Sequence, residues 1–200
     1  EIKKLGLYDN SIIIMHSDHG YPDPRTQLNE DYFKDLGHDM VLTDDNIKVP
    51  FLIKFPDMGD PRKISNQIGL IDVIPTIFDI LATPYTPSES KYHGSSLLPI
   101  ISGDETISSR IRRTDTRLPM DSNRMASLRS DGYKYIYFFS DGSEVLFDLK
   151  EDPSELNNII VISESDIIHK FRELLNDYEE QLYLFHRKVL ESNINNFVNS

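Results

Sequence analysis

Ile12, Ile13 and Ile14 form an unbroken β-branched run that stops abruptly at the polar cluster His16-Ser17-Asp18-His19-Gly20. With Asp9-Asn10 as a turn signal before it, the run predicts a strand over Ser11 to Met15. A strand with no polar alternation is covered on both faces, which is typical of a parallel sheet within an α/β fold. In open α/β sheets, ligand sites gather at the carboxyl ends of strands. The cluster at residues 16–20 therefore stands where chemistry is expected.

The rest of the chain supports a mixed architecture. Gly20 to Gly37 reads as a polar loop with a short helix around Glu30 to Leu36. Val49 to Phe55 reads as a second strand, with Pro50 at its beginning or on an edge. Ile64 to Ala82 reads as mostly helical, with Asp72 as N-cap, Pro75 in the first turn and Ile77, Ile80 and Leu81 as its apolar stripe. A further short apolar run lies within His93 to Gly103. Near residue 120 the pattern changes. Met125 to Leu128, Tyr133 to Phe139 and Ser143 to Asp148 are short strands separated by Ser130-Asp131-Gly132 and Ser140-Asp141-Gly142. Asp-Gly between apolar runs is a hairpin signal, so these strands form an antiparallel meander. From Ser163 onward, Ile167, Phe171, Leu174, Tyr178, Leu182, Phe185 and Val189 recur at helical spacing along one long amphipathic helix.

Composition narrows the function. The formal net charge is -12 across 200 residues, which argues against non-specific nucleic-acid binding, since that relies on Lys and Arg neutralising phosphates. It also disfavours adhesion to an anionic membrane surface. No apolar run approaches the ~20 residues needed to span a bilayer. The chain has no cysteine, so thiolate metal ligands and a cysteine nucleophile are excluded within it. The charged opening Glu1-Ile2-Lys3-Lys4 is neither a signal peptide nor an initiating Met, and the chain reads as a piece of something longer.

Among residues able to do chemistry, Asp18 and His19 come first. An adjacent carboxylate and imidazole at a strand end can share one cation. The dipeptide alone is a weak signal and reads first as Asp18 capping a turn while His19 lies on the surface. Gly20 would permit close backbone approach to a ligand. His38, after Gly37, is a second candidate; alone it reads as a loop histidine. His16, His93, His169 and His186 show no metal-ligand spacing. Lys48, Lys54 and Arg25 could meet an anion but read as solvated side chains. No Gly-x-Ser-x-Gly elbow and no Gly-rich phosphate loop is present.

The order of motifs says more than any one of them. The segment Leu7 to Gly20 resembles the sulfatase segment in which a strand delivers an Asp-His or Asp-Asn metal pair. Gly37-His38-Asp39 through Val49-Pro50 is similar to the next block, where a histidine or lysine faces the sulfate. Asp72-Val73-Ile74-Pro75-Thr76 resembles that family's Asp-x-x-Pro-Thr helix start, and His93-Gly94-Ser95-Ser96-Leu97 its Gly-x-Ser-Leu segment. Leu128 to Ile136 and Leu146 to Asn158, with Asp152-Pro153-Ser154-Glu155, resemble its C-terminal subdomain. Five blocks in order, over about residues 5 to 160, resemble the C-terminal portion of the sulfatase family within the alkaline phosphatase superfamily.

The resemblance implies an α/β sandwich portion over residues 1–120, with a small antiparallel sheet and a long C-terminal helix over 121–200. It implies a metal-dependent hydrolase of sulfuric esters, acting on a sulfate-ester small molecule or glycan. Asp18 and His19 would ligate a divalent metal, calcium by family habit, with manganese, iron or zinc also open. His38 would hydrogen-bond the sulfate or protonate the leaving oxygen. The family's formylglycine nucleophile and first metal-binding aspartates would belong to an N-terminal half, without which these 200 residues would be inactive and their exposed truncation surface prone to oligomerise. A phosphoric or phosphonic ester hydrolase, or a phosphoryl-group transferase, of the same superfamily is the enzymatic alternative. A non-catalytic binding module is the third reading.

Overall fold

A computed structural model describes residues 1–23, 42–56, 60–84, 94–104, 110–116, 124–130, 132–163 and 165–198. They group into two compact units, Glu1–Ser65 with Arg113–Ile159, and Asn66–Arg112 with Ile160–Ser200. The helix expected around Glu30 to Leu36 lies outside the described residues.

In the first unit, strand β1 (Ile13–His16) pairs with β2 (Phe51–Lys54). The pairing is antiparallel, from Ile13 opposite Lys54 to His16 opposite Phe51. This corrects the parallel reading. An apolar run reports that both faces of a strand are covered, but it carries no information on the direction of the neighbour. Here Ile13 and Ile14 are half-buried, while Met15 and His16 are exposed. Pro50 precedes β2 and so takes no donor from the ladder. A short helix, α1 (Asp44–Ile47), lies just before it.

The second sheet of this unit has the order β3-β4-β5-β6. Its strands are β3 (Arg112–Asp115), β4 (Met125–Arg129), β5 (Tyr133–Phe138) and β6 (Glu144–Asp148). The last three are the expected meander, antiparallel throughout, with Ile136 opposite both Ser127 and Val145. Its second turn is set by Gly142, whose φ of 74° lies in the left-handed region that glycine enters without strain. Strand β3 escapes the sequence reading because Arg-Arg-Thr-Asp shows no apolar alternation. It is joined to β4 where Thr116 N–H donates to the Met125 carbonyl (3.0 Å) and Met125 N–H to the Thr116 hydroxyl (2.9 Å).

One face of the meander forms the core of the unit: Met125, Ile136, Phe138, Val145 and Phe147, covered by Leu42 and flanked by Ile47 and Leu149. Each fully buried side chain of this size contributes roughly 1.5–3 kcal/mol. The core thus lies directly against the segment carrying α1.

In the second unit, the helix expected from Ile64 begins later. A 3₁₀ turn at Leu70–Asp72 leads into α2 (Val73–Ile80). Gly69 is extended, with φ −129° and ψ 156°. Asp72 precedes α2 but makes no side-chain cap to it. Its buried carboxylate instead accepts from the Gly69 and Ser95 N–H groups (both 2.9 Å) and pairs with Arg112 at 2.5 Å. Of the expected stripe, Ile77 and Ile80 are half-buried and Leu81 is exposed. Helix α3 (Leu98–Ser102) ends at Gly103, whose φ is 96°. The long helix α4 runs over Ser165–Val198. Ile168, Phe171 and Leu175 are buried on it, whereas Phe185 and Val189 near the far end of the expected stripe are exposed. Among the described residues, no helix is long and apolar enough to cross a membrane.

Candidate functional site

Asp18 and His19 follow directly on β1, so the strand delivers both to one place. Asp18 is open to solvent (86% exposed) and His19 less so (44%). The Asp18 carboxylate accepts from the His19 N–H at 2.9 Å, and the Ser17 hydroxyl donates to the His19 carbonyl at 2.6 Å. The His19 N–H, the residue's own N–H and the nearby imidazole hold the Asp18 carboxyl below the usual carboxylate range. It is therefore anionic at neutral pH.

The imidazole is oriented as well. His19 Nδ1 lies 2.6 Å from the Gly20 carbonyl, which can only accept, so Nδ1 carries the proton. In the neutral ring Nε2 then bears the lone pair, the arrangement that metal-bound histidines adopt. Nε2 and Asp18 Oδ2 stand 3.8 Å apart. One cation with bonds of roughly 2.0–2.6 Å can touch both atoms. The two donors fit a divalent metal, yet among the described residues no three His, Cys, Asp or Glu side chains come together to hold one.

The chain beyond the pair is laid against α1. Gly20 N–H donates to the Asn46 carbonyl (2.6 Å), Tyr21 N–H to the Asp45 carbonyl (3.2 Å), and Asp23 N–H to the Asp45 carboxylate. A Cβ on Gly20 would stand 2.1 Å from the Asp45 carbonyl oxygen. The close approach that Gly20 permits is to α1, then, rather than to a ligand.

Helix α1 is in turn fixed by a cluster of four charges. Arg129 donates to the Asp44 carboxylate in a fork, Nε to Oδ1 and Nη2 to Oδ2, both at 2.8 Å. Lys134, with no exposed surface, pairs with Asp44, pairs with Glu155 at 2.9 Å and donates to the Leu42 carbonyl at 3.1 Å. The Glu155 carboxylate also receives the Asp44 N–H. Burial alone would raise the Asp44 pKa, but the Arg129 hydrogen bonds and Lys134 outweigh it and bring it to about 2. Burial of Glu155 pushes its carboxyl up despite Lys134, and the Asp44 charge adds to the rise. Asp44, Arg129 and Glu155 line a surface cavity of about 430 Å³, together with Asp23, Asp45 and Lys48.

The Asp-Pro-x-Glu-x-x-Asn stretch builds this corner. The Asp152 carboxylate accepts from the Leu156 (2.8 Å) and Asn157 (2.7 Å) N–H groups, closing the turn. Glu155 takes a left-handed φ of 55°, uncommon for a residue with a side chain, and so turns inward. Asn158 Oδ1 accepts the Leu146 N–H at 3.0 Å, tying the turn to β6. The sequence reading passed over these charges as chemistry. A signal was present: strand alternation puts Lys134 on the same face as Ile136 and Phe138, and a lysine on a core face requires an acidic partner.

The remaining candidates are dispersed. His38, His93 and Arg25 lie outside the described residues. Lys54 Nζ donates to the Tyr8, Asp9 and Ser11 carbonyls, so it fastens the chain before β1 rather than meeting an anion. His16 Nδ1 lies 3.0 Å from the Ser17 carbonyl. His169 is exposed and pairs with Glu173 within α4, while His186 is exposed on the same helix.

Comparison with known proteins identifies the family. Residues 38–181 match the family described as N-sulphoglucosamine sulphohydrolase, C-terminal. Human Arylsulfatase K is 30% identical over 194 residues, which cover 91% of this chain and 32% of that protein. The chain thus spans about a third of the length of the curated relatives it matches. Two solved structures share the fold. A protein in complex with its substrate D-glucosamine-2-N,6-O-disulfate has a TM-score of 0.65 at 23% identity, over 90% of this chain and 36% of its own. The phosphonate monoester hydrolase of Agrobacterium radiobacter also has a TM-score of 0.65 at 23% identity, over 90% and 37%. The chain belongs to the sulfatase family and corresponds to its C-terminal portion.

Proposed function

We propose that this chain is part of a metal-dependent sulfuric ester hydrolase and contributes two metal ligands, Asp18 and His19, and one substrate-facing group, His38. The observation that carries the reading is the geometry of the pair. An anionic carboxylate and an imidazole with Nδ1 protonated stand 3.8 Å apart at the end of a strand, in a chain whose relatives are sulfatases. A bound divalent cation, calcium or else manganese, iron or zinc, would polarise the ester oxygens. Two protein donors suit no complete site for such an ion, because calcium takes 6–8 oxygen ligands. The other ligands and the nucleophile, a formylglycine in the family, are therefore assigned to the part of the relatives that this chain does not span. His38 would hydrogen-bond the sulfate or give its proton to the leaving oxygen.

The substrate class is a sulfate ester on a small molecule or glycan, with a sulfated amino sugar favoured. That choice rests on the matched family and on the disulfated glucosamine held by one structural neighbour. The phosphonate monoester hydrolase among the neighbours supports a second reading, cleavage of phosphoric or phosphonic esters by the same scaffold. Rates of hydrolysis of an aryl sulfate, an aryl phosphate and a phosphonate monoester by the complete protein separate the two. Preference for the sulfate is the expected result; preference for either phosphorus ester would replace the first reading with the second. No cleavage of any of the three would leave a binding role or an enzyme selective for its own sulfated sugar.

A further inference from the structure

We infer that the ion cluster of Asp44, Arg129, Lys134 and Glu155 is the mount that sets the position of the Asp18–His19 pair, its members acting as positioning residues. The inference rests on the reading of Asp18 and His19 as metal ligands, and the test below separates the two. The path between cluster and pair is short and made of backbone. Upstream, the pair is held by β1, fixed through its ladder with β2. Downstream, it is tied to α1 by three backbone N–H groups, those of Gly20, Tyr21 and Asp23.

Helix α1 has four residues. A single turn cannot hold itself in water, since helix nucleation is unfavourable. What fixes it is the cluster: the Arg129 fork and Lys134 on Asp44, Lys134 on the Leu42 carbonyl, and Glu155 on the Asp44 N–H. Two cations and two carboxylates balance, so each charge is offset by a neighbour in a setting where an unpaired one is costly. Gly20 is joined to α1 by its N–H bond to the Asn46 carbonyl (2.6 Å), and a Cβ there would stand 2.1 Å from the Asp45 carbonyl oxygen, so a displacement of α1 bears on the residue next to His19. Groups that orient metal ligands from behind typically change affinity by roughly 10–100-fold when removed.

The test uses the complete protein and calorimetric titration with calcium chloride. The variants are Arg129→Met, Arg129→Lys, Asp18→Ala and, as a destabilised control away from the cluster, Leu175→Ala. Arg129→Met is expected to weaken calcium binding roughly tenfold or more. Arg129→Lys restores part of it, because the charge returns without the fork. Leu175→Ala keeps wild-type affinity in its folded fraction. If the methionine variant does not fold, the intermediate affinity of Arg129→Lys carries the same information. Wild-type affinity in both Arg129 variants, with binding lost in Asp18→Ala, would overturn the mount and leave the metal pair standing. Equal weakening in Leu175→Ala would overturn it as general destabilisation. Unchanged affinity in Asp18→Ala would overturn the metal reading and the mount together.

Discussion

Lys134 shows most clearly how single residues are constrained in this chain. Its ammonium has no exposed surface and is tolerated because Asp44 and Glu155 both face it. The two acids respond to pH in opposite directions. The Asp44 pKa falls from 3.8 to about 2. Its contribution to stability, about 2 kcal/mol at ~1.36 kcal/mol per unit, is present above pH 3.8 and lost as pH falls through 2. Denaturant titration of Asp44→Asn should therefore show a deficit of that order at neutral pH, closing as the pH is lowered below 3.8. Glu155 is raised above 4.5. It favours the fold below that pH and loses the advantage as pH rises through the raised value. Relative to wild type, Glu155→Gln is expected to gain stability between pH 4.5 and neutrality; parallel profiles would contradict the assignment. The juxtaposition of Asp18 and His19 was legible in sequence because the two residues are neighbours at the end of an apolar run. The cluster was not, because Asp44 finds its partners 85 to 111 positions away, and local pattern carries no record of such pairing.

At the scale of elements, legibility followed the strength of the local signal. The meander β4–β6 was readable because its turns carry Asp-Gly and its strands carry aromatic and β-branched residues. Strand β3 was hidden because Arg112-Arg113-Thr114-Asp115 has no alternation, and the antiparallel direction of the β1–β2 pairing was hidden because direction leaves no trace in composition. The late start of α2 has a physical cause in Asp72. Its carboxylate is engaged by Gly69, Ser95 and Arg112, so it organises a junction instead of capping the helix. The Gly94 position supports the same junction: a Cβ there would stand 2.0 Å from the Ile71 carbonyl oxygen. Gly94→Ala should lower stability by roughly 1–3 kcal/mol, the usual range for forced overpacking. A thermal melt checks it, and an unchanged Tm would show that the segment shifts freely.

At the scale of the whole molecule, these residues correspond to about a third of the matched relatives. The far half of α4 presents Tyr183, Phe185, Leu190 and Ile194 to solvent, and Val161 and Ile162 are 92% and 83% exposed. Apolar surface of this extent favours association. Residues 1–200 produced alone are therefore expected to self-associate in sedimentation velocity and to release no sulfate from an aryl sulfate. A monomer across the concentration range would count against the first expectation, and turnover against the second.

The most direct test of the central claim is sulfate release from an aryl sulfate by the complete protein, stripped with a chelator and then resupplied with calcium or manganese. Wild type and Asp18→Ala would be assayed side by side. The expected result is activity that vanishes on stripping, returns with metal in wild type, and stays lower by roughly 100-fold or more in Asp18→Ala, the scale of losing an electrostatic stabiliser of the transition state. Full activity in the stripped protein, or equal recovery in the variant, would contradict a metal-dependent hydrolase that uses Asp18.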